Sequence, residues 1–269
     1  MTSKVRVEAL WSYPIKSGLG VSLQEARFTR DGITDDRRFA LCDLDGHFVS
    51  LRSCPELFQL GCRSCEEGWV LSWGDELGPK LQMPDATDSR LDFKIWGDVV
   101  DVGVMAADAN RWLSDKTGRP LRLVAFDERS SRLVDPTYAP PGTSTMLSDG
   151  FPVLLTTLES HRQLDDWAGT EQAVERMRSN LVVSGGAPFE EDSWVRLEGP
   201  EVTIELVKPC ARCVATTVDP KTGQRGPEPL RTLSVHRKVG KEVMFGQNAI
   251  VVQEGIVRVG EVLTIVKRR

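Results

Sequence analysis

KPCARCVATTVDPKTG, residues 208 to 223, packs two cysteines, a guanidinium and a β-branched run into one short stretch. Cys210 and Cys213 frame Arg212, and a guanidinium beside a thiol favours the thiolate, the form that ligates metals and attacks electrophiles. The run Val214, Ala215, Thr216, Thr217, Val218 predicts a strand over 213–218, which Asp219-Pro220 closes as a turn. That strand argues against a thioredoxin-type redox pair, whose attacking thiol sits at a helix N-terminus. A zinc site needs four ligands, and the other Cys-x-x-Cys, Cys62 and Cys65, lies far outside the usual separation of roughly 15–20 residues. Two readings stay open on spacing alone. Either Cys213 is a single ligating thiolate with Cys210 as a small buried neighbour, or both are plain free thiols.

The rest of the chain adds no second redox centre. Cys42, Cys54, Cys62 and Cys65 do not follow the spacing of an iron–sulfur set and read as packed thiols. His47, His161 and His236 are scattered without metal spacing. There is no glycine-rich nucleotide fingerprint, so neither a nicotinamide nor ATP is indicated. Pyridoxal phosphate is not expected either.

Composition narrows the class. Hydrophobic residues at 40% and charged residues at 27% describe an ordinary globular chain, not a disordered one. A net charge of −5 gives no basic field for nucleic acid, although a few arginines in one pocket suffice for a small anion. No apolar run reaches the roughly 18 residues that a membrane span requires. The opening MTSKVRVEALWSYPIKS alternates like a strand and lacks signal-peptide features, so the expectation is a cytoplasmic protein with reduced cysteines and no membrane partner.

Periodicity predicts short strands over 4–105, with Val5, Val7 and Ala9 on one face of the first, separated by Gly, Pro and Asp clusters as in barrels and sandwiches. A helix is predicted over 106–116, ended by Gly118 and Pro120, and two more behind the caps Thr157 and Thr170. Strands are predicted again at 180–184, 202–208, 213–218, 249–253 and 262–266. The long polar segment 127–148 reads as functional or as a linker, which places a domain boundary near its start, between 1–125 and 126–269.

Three further motifs stand in chain order. YPIKS (13–17) followed by DRRF (36–39) offers Lys16, Ser17 and Arg38 to an anion, against the alternative of a solvated surface. SDGFP (148–152) offers Asp149 as a proton relay or merely as a turn residue before a strand. RSNLVVSG (178–185) offers Arg178 as a clamp and Asn180 as both donor and acceptor.

Together with KPCARC-x3-TVDP-x-TG, these motifs resemble the MOSC-domain family of molybdenum-cofactor proteins, the branch that includes the mitochondrial amidoxime-reducing component and stand-alone bacterial relatives. YPIKS resembles the family's YPxKS, DRRF its DRxF, SDGFP its SD-x-x-P and RSNLVVSG its R-x-N-[IL]-V-[VI]-S-G. EEDSW (190–194), with Trp194 expected in the core, and the closing FGQNAIVVQEGIVRVGEVLTI match as well.

The resemblance implies a mainly β chain with some helices: an N-terminal β-barrel-like domain, a C-terminal MOSC β-barrel domain, and a cofactor cleft between them. It implies Cys213 as the molybdenum ligand, with Ala211 and Arg212 beside the cofactor. Lys16, Ser17, Arg38, Arg178 and Asn180 would hold molybdopterin, and Asp149 would lie on the substrate side. The family's two small hydroxyl residues after that aspartate are Gly150 and Phe151 here, so only backbone contacts carry over. The implied function is a molybdenum-dependent oxidoreductase that removes oxygen from N-hydroxylated small molecules. A separate electron-transfer partner, a flavin reductase or a small redox protein, would supply its electrons. The alternative is a molybdopterin or sulfur carrier using Cys213, and no nucleic-acid partner is expected.

Overall fold

Strand alternation sets the inner face of the first element, Ser3–Ser12, where Val5 and Val7 are buried between exposed Lys4 and Arg6. A bulge between Val7 and Ala9 then shifts the register, so that Leu10 rather than Ala9 enters the core. The computed structural model describes residues 3–85 and 88–269. In it this strand lies antiparallel between Leu181–Ser184 and Val262–Arg268. The sheet continues through Trp194–Glu198, Thr203–Ala211 and Glu242–Gln253 to Val153–Thr157, which pairs back with Leu181–Ser184. Seven strands thus close into a barrel, which leaves them without a free edge. Its interior is filled by residues such as Phe28, Leu155, Leu197, Ile204 and a fully buried Trp194.

The chain is mainly β, with the barrel accompanied by a half-barrel built from the N-terminal portion. Five strands (Arg90–Ile95, Asp98–Val104, Arg122–Ala125, Phe39–Cys42, Phe48–Val49) form one sheet, and Leu60–Cys65, Gly68–Trp73 and Glu76–Leu81 form another. They share a core with the helix Ala107–Thr117, which buries Ala109 and Leu113 and ends at the left-handed Gly118. Pairing does not follow a cut between 125 and 126. The first strand belongs to the C-terminal barrel, and Glu25–Thr29 pairs with Gly255–Arg258. Nor does segment 127–148 hang as a linker. Buried Arg132 donates to the carbonyls of Met146 and Ser148, and Leu147 N donates to Arg37 O, which anchors the loop carrying Asp149.

Two expected elements differ, and one helix is additional. No strand forms over 213–218; Cys213 is extended and leads into a 3-10 turn, Val214–Thr217. The hydroxyls of Thr216 and Thr217 donate back to the carbonyls of Cys213 and Val214, an option that competes with a ladder once the strand Thr203–Ala211 has ended. Thr157 caps Leu158–Ala168 through Ser160 N as expected, but Thr170 caps nothing. Its hydroxyl accepts from the Gln172 side chain, and only a 3-10 turn, Val174–Met177, follows. A short helix that the sequence reading does not include, Leu230–His236, starts directly after Pro229. No helix among the described residues is long and apolar enough to cross a membrane.

Candidate active site

Where the N-terminal sheets meet the barrel, a cleft collects the ends of several elements. The turn after the first strand brings Lys16 and Ser17, the latter at φ 72. The loop before Val153–Thr157 brings Asp149 and Gly150, and the strand Thr203–Ala211 ends in it with Cys210 and Ala211, followed by Arg212 and Cys213. Among the described residues, Lys16, Arg37, Arg52, Arg176, Arg178 and Arg212 line the cleft with Asp149 as the only carboxylate in the lining, in a chain whose net charge is −5. Lys16, Arg37 and Arg176 pair with Asp149, Asp36 and Asp219, so the positive excess that suits an anion rests on Arg52, Arg178 and Arg212.

Of the two adjacent arginines, the structure turns Arg37 into the cleft and Arg38 away from it. Arg37 sits in the left-handed region, φ 51, and this reversal sends the consecutive side chains to different faces. Arg38 Nε donates to Asp35 Oδ1 at 2.8 Å and stands over the Trp69 ring. Arg37, and not Arg38, therefore lines the cleft, where its guanidinium pairs with Asp36 and donates to Arg178 O. Its guanidinium lies 4.4 Å from the Tyr13 ring centroid, and that of Arg178 lies 4.3 Å from the same ring. Burial, and then the neighbouring Arg37, lowers the Arg178 pKa to about 10. Burial also raises the Tyr13 hydroxyl to about 12, against the pull of both guanidinia. Arg178 Nη1 donates to Gly18 O, while its buried Nη2 finds no protein partner.

Lys16 is buried and donates to Asp149 Oδ1 at 2.5 Å, with its ammonium 5.2 Å from the Phe48 ring centroid. Burial pulls its pKa down to about 8, against the opposing charge of Asp149. The Asp149 side chain is itself exposed; desolvation at the cleft wall works against its charge, but Lys16, helped by Arg37 and Arg212, holds that carboxyl well below the usual range. Trp96 Nε1 donates to the same oxygen at 3.3 Å from a hairpin tip where the tryptophan, not the neighbouring Gly97, takes a positive φ of 52. A non-glycine residue there costs roughly 1–3 kcal/mol and persists where surrounding contacts hold it.

The sulfur end also departs from expectation. Arg212 Nη1 donates to Cys210 Sγ at 2.9 Å and Nη2 to Met177 O, so the guanidinium attends Cys210. Cys210 is half-buried and lines the cleft; it is not a packed neighbour. Cys213, equally half-buried, also lines the cleft, and its thiol has no protein partner among the described residues. Asn180 spends its amide on the fold, donating to Trp11 O and accepting from Leu154 N. At Gly150 a Cβ would meet nothing within 4 Å, which leaves the loop backbone open, while the Phe151 ring packs edge-on against Tyr138. Sequence reasoning missed Arg37, Arg176, Phe48 and Trp96. The Arg-Arg pair held the only signal for the first, and nothing local marked the others.

These donors fit an anionic, sulfur-ligated cofactor. Buried Arg178 Nη2, Arg176 Nε and Arg212 Nε lack partners, an arrangement that a bound anion relieves, and a free thiol stands beside them. Residues 4–120 match the family model for the MOSC N-terminal beta barrel domain, and residues 142–264 match that for the MOSC domain. Mitochondrial amidoxime-reducing component 1 of Mus musculus is 31% identical over 95% of this chain and 80% of its own length. The Danio rerio protein of the same name is 30% identical over 95% and 83%. A molybdenum cofactor sulfurase of Danio rerio is 29% identical over 88% of this chain and 31% of its own length.

Proposed function

Because this chain belongs to the MOSC-domain family, with the N-terminal β-barrel domain preceding the MOSC domain, we propose that it is a molybdenum-cofactor-dependent reductase of N-hydroxylated compounds. The carrying observation is a cation-lined cleft that contains both an unpartnered Cys213 thiol and the Lys16–Asp149 ion pair. Cys213 would hold the molybdenum, for which a thiolate is a suitable soft ligand. Arg37, Arg178 and Ser17, with the backbone of Gly150, would hold the pterin and its phosphate. When bound, the cofactor supplies the two-electron chemistry that separates oxygen from nitrogen.

The protein's own part is position, charge and a proton. Asp149 stays ionised at neutral pH and is therefore not the acid. Lys16 Nζ is the better proton donor: its pKa near 8 keeps the proton present but transferable, and Asp149 Oδ1 fixes its position. Electrons come from a separate flavin reductase or small redox protein that docks transiently, as redox partners do.

The test is protein purified from a cofactor-competent host, assayed for molybdenum, for pterin, and for reduction of benzamidoxime by reduced viologen. Turnover is expected with viologen and not with NADH alone. Bound cofactor without turnover of any N-hydroxylated compound would establish the carrier reading instead.

A further inference from the structure

Beside the cleft lies a second cavity. The two share a wall, since Ser17, Leu51, Arg176, Arg178 and Ala215 line both. Beyond that wall the lining becomes apolar, with Trp11, Leu19, Phe58 and Val218, and neither cysteine of the cleft nor Asp149 reaches it. Two glycines allow the walls to close. A Cβ on Gly20 would come within 2.7 Å of the Tyr13 ring, and one on Gly223, at φ +69, within 2.3 Å of the Phe58 ring. Ala215 belongs to the 3-10 turn that starts directly after Cys213, so the cavity opens two residues from the candidate metal ligand. Its remaining charged residues, Glu175 and Lys221, are exposed at the rim.

We propose that this cavity is the substrate's tail pocket: it takes the alkyl or aryl body of a neutral N-hydroxylated compound whose N–OH group lies in the adjoining cleft. The proposal rests on the reductase reading and narrows it to amphipathic substrates. An apolar room joined to a cationic cleft selects for a polar head and an apolar tail on one molecule, because each part then leaves water for matching surroundings. Leu51 and Ala215 give the tail an apolar threshold between the two spaces.

Straight-chain amidoximes from acetamidoxime to octanamidoxime, titrated calorimetrically into cofactor-loaded protein without an electron donor, test this by binding alone. Affinity is expected to rise about three- to fourfold per methylene, the value for burying a CH2 group, until the cavity is full. Leu19→Trp should bring the longer members down to the affinity of the shortest, and Phe58→Ala should make the slope shallower. Melting curves and molybdenum content check that each variant folds and loads. A flat series in the unmodified protein, or a slope that both variants leave unchanged, overturns the pocket. So does release of a pterin carrying a nucleotide, which would assign the cavity to the cofactor. Turnover with reduced viologen is read in parallel: its absence beside a rising, variant-sensitive series counts against the reductase reading and not against the pocket.

Discussion

The chain uses one cysteine spacing twice, at Cys62 and Cys65 and at Cys210 and Cys213, in opposite surroundings. The first pair lies inside one continuous strand, Leu60–Cys65, where positions three apart face opposite sides of the sheet. Cys62 accordingly points into the core and Cys65 into solvent. Burial, reinforced by the nearby Asp35, pushes the Cys62 thiol up to about 12, which makes it a small hydrophobe. The second pair straddles the end of a strand. The ladder stops at Ala211, the chain turns through Arg212, and both sulfurs line one cleft beside a guanidinium. Spacing alone therefore says little about a thiol, whereas the point at which the strand ends says much.

The sharpest way to break this comparison is at the sulfurs. Cys213→Ser should lower molybdenum content and reductase activity by more than about 100-fold, since loss of groups that merely support a metal ligand already costs about 10–100-fold. Cys62→Ser should leave both within about twofold. Equal loss in the two variants would show that the cleft confers nothing on its cysteine.

Next comes the proton. Lys16→Met should cost about 100-fold in turnover, within the usual range for a general acid. Because burial has lowered its pKa from the ordinary 10.5 to about 8, the Lys16 ammonium is lost as pH rises through about 8, and turnover should fall there. Asp149→Asn removes the charge that opposes this lowering, so the falling limb should move to lower pH. A pH–rate profile with no limb near 8 in the unmodified protein would remove Lys16 from the chemistry.

The arginines give a smaller effect. Arg37→Ala and Arg178→Ala should each weaken pterin retention roughly ten- to a hundredfold, as expected for one charge-assisted hydrogen bond of about 1.5–3 kcal/mol. Arg38→Ala, on the Asp35 and Trp69 side, should change retention less than about twofold. Dialysis of loaded protein followed by fluorescence of oxidised pterin separates these outcomes.

The smallest effect belongs to the buried thiol. Cys62→Ser places a hydroxyl in an apolar site and should cost about 1–3 kcal/mol of stability, read as a lower melting temperature at unchanged molybdenum content. If its melting temperature is unchanged, Cys62 is not the packed side chain its burial describes.

Much of the site was legible because motif residues converge. Lys16, Ser17, Asp149, Gly150, Arg178, Asn180 and Cys213 all line the same cleft. Errors arose where a side chain's direction depended on backbone reversal. Arg37 and Arg38 are chemically alike in sequence, and only a positive φ separates their faces. Thr216 and Thr217 favour strands by propensity, yet their hydroxyls return to the turn's own carbonyls once no partner strand is present. Trp96 and Phe48 enter the cleft from a sheet far away in sequence, and no local pattern could announce that.

By itself, the sequence determined the β-rich class through its periodicity and the family through motifs that resemble it in chain order, because both depend on short stretches of chain. Tertiary structure alone decided that the first strand closes the C-terminal barrel and that Lys16 pairs with Asp149. It also decided that Arg212 attends Cys210, and that an apolar cavity adjoins the cationic cleft. Each of these depends on distance and desolvation between groups remote in the chain, and those quantities come into being only when the barrel closes.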